Sequence, residues 1–88
     1  MREYILINYF DVWYNQEEGW WVNDQCQEGD PITITDDATD EDIINYLYNI
    51  KFFNTNDMSK FRVDQSSETI EIYDAEDDRP LCGLIPTY

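Results

Sequence analysis

The feature that most constrains this chain is one helical period set among sequence that otherwise alternates. Across residues 36–53, Ile43, Ile44, Leu47 and Ile50 recur at three- and four-residue spacing, with Tyr46 or Tyr48 at the margin, which makes one apolar stripe. Thr39 followed by Asp42 has the Ser/Thr-x-x-Asp/Glu form of a capping box. Asp40, Glu41 and Asp42 fall in the first turn, where the helix dipole favours negative charge. Lys51 suits the C-terminal end, and Asn54-Thr55-Asn56-Asp57 is expected to stop the helix. Such a stripe must be buried against a second layer, and the flanking sequence supplies strands.

Residues 3–14 are rich in β-branched and aromatic side chains on both parities, as in a central strand, with a bend or bulge expected over residues 8–11. Asn15-Gln16-Glu17-Glu18-Gly19 reads as a loop whose Gly19 supplies a positive φ and closes a hairpin into Trp20-Trp21-Val22-Asn23. After the breaker Gly29-Asp30-Pro31, Ile32-Thr33-Ile34-Thr35 alternates as a short strand. Beyond the helix, Phe61 and Val63 share one parity, Gln65-Ser66-Ser67 turns the chain, and Ile70 and Ile72 alternate with polar residues. Leu81-Cys82-Gly83-Leu84-Ile85 is a last strand, with Pro80 and Pro86 restricting it to mid-strand pairing or to an edge. The order β-β-β-α-β-β-β implies an α+β fold: one domain over residues 1–88, mainly antiparallel, with the helix on one face of the sheet.

Charge restricts function more than any motif does. Against 20 Asp and Glu stand 5 Lys and Arg and no His, a formal net charge of −15. That imbalance destabilises the compact state through self-repulsion, keeps the chain soluble and repels nucleic acid and anionic lipid. Direct binding to DNA, RNA or membrane is therefore not expected, and the complementary partner is a protein with a basic surface. Tyr4-Ile5-Leu6-Ile7 is too short and too polar-flanked for a signal sequence, and no apolar run approaches the ~20 residues of a membrane span, so a cytoplasmic location is expected. Cys26 and Cys82 read as reduced core residues rather than a disulfide.

The carboxylates concentrate in two groups: Asp36, Asp37, Asp40, Glu41 and Asp42 around the helix start, and Asp74, Glu76, Asp77 and Asp78 in the late turn. Asp74, Glu76 and Asp78 match the first, third and fifth positions of a calcium loop. Arg79 stands where the sharp turn needs Gly, however, and the late bidentate Glu is missing, so no metal site is expected. With no His and no nucleophile motif, no catalytic residue and no cofactor are assigned and the chain is not expected to be an enzyme. Cys26, between Asp24 and Glu28, is a poor nucleophile because neighbouring charge disfavours its thiolate. The aromatic residues are expected mainly to pack the core and cover the sheet. Adjacent Trp20 and Trp21 must point to opposite faces of a strand, which leaves one near the surface as a partner contact.

In net charge, size and single α+β domain the chain resembles the small acidic DNA-mimic inhibitors made by phages and mobile elements against restriction or CRISPR nucleases. The resemblance implies an anti-restriction or anti-CRISPR type of inhibitor, acting in the host cytoplasm, that fills the basic DNA- or RNA-binding site of a defence or DNA-processing protein. Two rivals accompany it: a protein-interaction module docking through exposed aromatics and a sheet edge, and a small phage or plasmid structural subunit. The candidate partner contacts are the two carboxylate groups together with Trp20 and Trp21.

Overall fold

A computed structural model describes residues 1–87. The chain forms β1 (Arg2–Asn15), β2 (Gly19–Gln27), β3 (Ile32–Ile34), α1 (Asp40–Asn49), β4 (Phe61–Asp64), β5 (Ile70–Asp74) and β6 (Pro80–Pro86), with a 3-10 turn at Met58–Lys60 before β4. The strands make one antiparallel sheet in the order β2-β1-β6-β5-β4. The N-terminal end of β1 pairs with β3 and the remainder with β2, so the long first strand carries two short partners along one side. This is the α+β architecture expected from the sequence, in the same element order.

The register explains which face the helix covers. Leu6, Leu84 and Ile70 stand in one row across β1, β6 and β5, and Asn8, Cys82, Ile72 and Val63 form the next row. Ile43, Ile44 and Leu47 of α1 are buried with these rows, and the fully buried side chains are Leu6, Ile43, Ile44, Leu47, Ile72, Leu84 and Cys82. Burying each large aliphatic side chain contributes about 1.5–3 kcal/mol. Every one of these innermost residues is aliphatic or a thiol. Tyr4 is the one ring buried within the core cluster among the described residues, and Phe52, Phe53, Phe61 and Tyr46 pack around its margin.

Both halves of the capping box form: Asp42 N–H donates to Thr39 Oγ1 at 3.1 Å, and Thr39 N–H donates to Asp42 Oδ2 at 3.0 Å. The helix stops earlier than the Asn54-Thr55-Asn56-Asp57 run suggests. Lys51 takes a left-handed conformation, φ 67°, and the amides of Lys51 and Phe52 donate back to the carbonyls of Tyr48 and Leu47. That is a Schellman closure with Lys where Gly is usual, and Phe52 folds back onto the core. Lys51 thus lies just past the last turn rather than within it.

β6 is central, between β1 and β5, with Pro86 opposite Tyr4 and Pro80 opposite Tyr73 at the ends of its pairing. The prolines therefore mark the ends of an inner strand and not an edge. β1 pairs irregularly with β2 between Asn8 and Val12, where the bend was expected. Asn15 faces Gly19 across the hairpin end, and Gly19 has φ 85°.

The cysteines divide. Cys82 is buried, but Cys26 is exposed and does not join the core, contrary to the sequence-based expectation; both are free. Asn8 is the register partner of Cys26 on one side and of Cys82 on the other. The thiols are therefore two strands apart, about 10 Å between Cα atoms, beyond the ~7 Å that a disulfide spans.

Candidate partner-binding site

No charged side chain is buried among the described residues. Glu28, Asp64, Glu71 and Asp74 are half-buried, and the other sixteen of the 20 Asp and Glu are exposed. The candidate carboxylates fall at the two ends of the sheet. Asp36 accepts from the N-terminal ammonium of Met1 at 3.2 Å, and Asp40 accepts from Gln65 at 2.6 Å, which places this group beside the start of β1. The turn between β5 and β6 lies at the far end, where Trp20 Nε1 donates to the carbonyl of Asp77 at 2.8 Å. Trp20 is opposite Tyr14 near the end of β1. The length of β1 therefore separates the two groups, in a molecule 38 Å long.

The carboxylates also differ in what they already do. Asp42 is committed to the capping box. In the late turn Asp74 Oδ1 accepts from the amide of Glu76 at 2.8 Å and Asp77 Oδ1 from the amide of Arg79 at 3.1 Å, while Asp78, at φ 60°, accepts from Arg62 Nε at 2.9 Å. The first two bonds build the turn, and the third ties it to β4. Asp37, Glu41 and Glu76 engage no partner through their carboxylates among the described residues, and are the groups most available to another molecule. No group of three or more metal-ligating side chains converges among the described residues.

The sequence pattern assigns the aromatic residues mainly to packing, and at Trp13 and Tyr14 the structure differs. Trp13 and Trp21 are 49% and 44% exposed, Tyr14 is exposed, and Trp20 is half-buried. Trp13 faces Trp21 across the hairpin and the rings stack at 6.0 Å, and Tyr14 meets Trp20 edge-on at 5.3 Å. Trp20 and Trp21 do part company, one anchored to the Asp77 carbonyl and one partly exposed on the stack with Trp13. The residues that the sequence reading left out of the site are Trp13, Tyr14 and Phe10. Their signal was available, because both parities of residues 9–14 are apolar and only one can face a helix.

On the sheet face away from α1, Tyr9 lies over Gly83 and donates to both oxygens of Glu71, at 2.9 and 3.3 Å. A Cβ at position 83 would collide with the Tyr9 hydroxyl oxygen, which is why this inner strand carries Gly there. Desolvation raises the pKa of Glu71 above its ordinary value against the opposing effect of the Tyr9 hydrogen bond, and desolvation with the adjacent carboxylate also raises that of Tyr9. Partial desolvation, the hydrogen bond to Glu28 and the charges of Glu28 and Asp24 raise the pKa of the Cys26 thiol, which keeps it protonated and unreactive. An open groove of about 610 Å³ lies between the end of α1 and the β2–β3 loop, floored by Leu6, Ile32 and Phe52 and edged by Glu28, Asp30 and Lys51.

The chain is thus an α+β protein with one helix on one face of an antiparallel sheet and an acidic surface. Compared with family models, with curated proteins and with solved structures, it matches none. No helix among the described residues is long and apolar enough to cross a membrane.

Proposed function

We propose that this protein is a non-enzymatic, cytoplasmic inhibitor that occupies the basic nucleic-acid-binding site of a host defence or DNA-processing protein, with carboxylates standing in for phosphates. The observation that carries this reading is the placement of the charge: of 20 carboxylates none is buried, and 5 Lys and Arg oppose them. Duplex DNA presents one negative charge per ~1.7 Å of its axis, and proteins that hold it present Lys and Arg in matching grooves. A compact acidic domain engages the same cations and steers its own association through them.

The test has two parts. A target captured from the host is mixed with labelled nucleic acid and increasing amounts of this protein. Mimicry requires displacement of the nucleic acid, whereas simultaneous binding of both ligands contradicts it. Neutral replacements then locate the contact: Glu76→Gln with Asp77→Asn and Asp78→Asn in one variant, Asp36→Asn with Asp37→Asn in another. Asn keeps the side-chain acceptor that takes the Arg79 amide at position 77 and Arg62 at position 78, so the loss is expected as slower association at low salt with the fold retained.

A further inference from the structure

Five of the nine exposed large apolar side chains among the described residues are gathered in one place. Phe10, Trp13, Tyr14, Trp21 and Val22 are between 37% and 57% exposed, and all belong to the ribbon formed by β1 beyond Asn8 with β2. β2 is the last strand of the sheet order, so its outer edge is unpaired, and residues 21–27 are exposed without interruption. A two-stranded ribbon with no helix over it is held by its cross-strand pairs, and these rings still leave much of their surface in water, more than pairing alone requires. The rings are nonetheless ordered, by the Trp13–Trp21 stack and the Tyr14–Trp20 edge contact.

The Trp20–Asp77 hydrogen bond ties this ribbon to the β5–β6 turn and brings Glu76, Asp77 and Asp78 to its side. Asp11, Glu17, Glu18 and Asp24 are exposed on the ribbon itself. Aromatic surface and carboxylates therefore share one end of the molecule, while Asp36 and Asp37 lie at the other. Beside this surface the protein displays how such a mixture holds a cation. The Arg62 guanidinium lies 4.2 Å over the Tyr73 ring and donates to Asp78 at 2.9 Å.

We propose that the β1–β2 ribbon with the β5–β6 turn is the docking surface, and that its occupant is an arginine-bearing segment of a partner protein. The proposal rests on the reading of this chain as a ligand for a basic surface and names the face that makes the contact. Arginine is the residue whose planar guanidinium both stacks on aromatic faces and donates to carboxylates in a fork, which a lysine ammonium does not do. A second copy of this chain is the wrong occupant, because it would set one net charge of −15 against another.

The three tryptophans of the chain are Trp13, Trp20 and Trp21, so intrinsic tryptophan emission reports on this surface alone. The experiment titrates the full chain with a nona-arginine peptide and, separately, with a nona-lysine peptide of equal charge, following emission and, in parallel, heat of binding. The arginine peptide is expected to change the emission saturably and to bind at least about threefold more tightly than the lysine peptide. Trp21→Ala should weaken it about tenfold, as removal of an interface aromatic does, and Glu76→Gln with Asp24→Asn should weaken it in a chain that keeps all its rings. Asp36→Asn with Asp37→Asn should change it less than about twofold. Each variant is first checked for a native melting transition, and Trp13→Phe replaces Trp21→Ala if the latter does not fold.

Heat of binding without a change in emission, equal affinity for the two peptides, or a loss at Asp36 and Asp37 as large as that at Trp21 would each overturn the assignment. So would a homodimer in sedimentation that Trp21→Ala dissolves. Peptide binding lost with Asp36 and Asp37 would remove the ribbon but leave phosphate mimicry standing. A ribbon that grips the peptide, in a protein that its target binds together with nucleic acid, would remove mimicry and leave the ribbon.

Discussion

The sheet face under α1 and the β1–β2 ribbon are built from opposite materials. Under the helix the innermost side chains are Leu6, Ile43, Ile44, Leu47, Ile72, Leu84 and Cys82, with no ring among them. On the ribbon the apolar residues are chiefly Phe10, Trp13, Tyr14 and Trp21, and all are exposed. A branched aliphatic side chain fits between a helix and a sheet at interior packing density, whereas a large ring presents wide contact area at little cost in side-chain entropy. The innermost packing is thus held by aliphatic side chains, and Phe10, Trp13, Tyr14 and Trp21 are left where another molecule can reach them.

The largest expected effect breaks the first half of that contrast. Leu47→Ala should cost about 2–5 kcal/mol by opening a cavity between α1 and the sheet, seen as a fall in melting temperature of at least about 8 °C on a scale of roughly 4–8 °C per kcal/mol. Trp21→Ala, although it removes far more atoms, should cost only about 1–2 kcal/mol, because the ring is 44% exposed and stacks on Trp13 rather than on the core. Equal losses in the two variants would mean that the ribbon is part of the stabilising core.

Gly83→Ala should come next, at about 1–3 kcal/mol, because its methyl group meets the Tyr9 hydroxyl over an inner strand. Tyr9→Phe removes the oxygen that is struck, so Gly83→Ala should cost less in that background. Chemical denaturation of the four chains of this cycle measures the coupling. Thr39→Ala should cost about 1 kcal/mol through loss of half the capping box, with helical circular dichroism and melting temperature falling together.

The smallest effect is that of pH and salt. The folded-state pKa of Glu71 is raised above 4.5, so the folded state takes up this proton more readily than the unfolded chain, and stability grows as pH falls through that folded value. Asp57 and Asp64 are lowered below 3.8 by hydrogen bonds from Ser59 and Ser66; the stability they contribute is present above 3.8 and is lost as pH falls through their folded values. Melting temperature should therefore rise on mild acidification and fall again at lower pH, and Glu71→Gln should flatten the rising limb alone. It should also rise from low to moderate salt, since screening relieves the self-repulsion of a chain at −15.

What the sequence showed and what it hid follow from the range of the interactions. The capping box, the Ile43, Ile44 and Leu47 part of the α1 stripe and the Gly19 turn are set by neighbours within a few residues, and they stand where the pattern puts them; Ile50, expected on the same stripe, is the C-cap residue and is 44% exposed. The end of α1 was misjudged because Lys51 adopts a left-handed conformation usually left to Gly, and the closure is held by Phe52 against the core. Cys26 and Trp13 lie outside the expected core for a different reason. Alternation says that two faces exist, but not that the one helix is too short to cover β2. The two carboxylate groups were legible as groups, whereas their separation by the length of β1 depends on the pairing of strands far apart in sequence. Glu71, flanked by Ile70 and Ile72, reads as an ordinary solvent-facing position until Tyr9 is seen to lie across Gly83.

Native-state hydrogen exchange, resolved by amide and repeated with the nona-arginine peptide, tests most directly the division of this molecule into a stabilising core and a binding ribbon. Amides of Leu84, Ile72 and Leu47 should exchange only through global unfolding, and those of β1 and β2 between Val12 and Val22 through a smaller local opening, at least about tenfold faster. The peptide should slow exchange in the ribbon and the β5–β6 turn and leave the segment around Asp36 and Asp37 unchanged. Ribbon amides as slow as those of Ile72 in the free protein, or protection by peptide confined to the Asp36 end, would contradict that division.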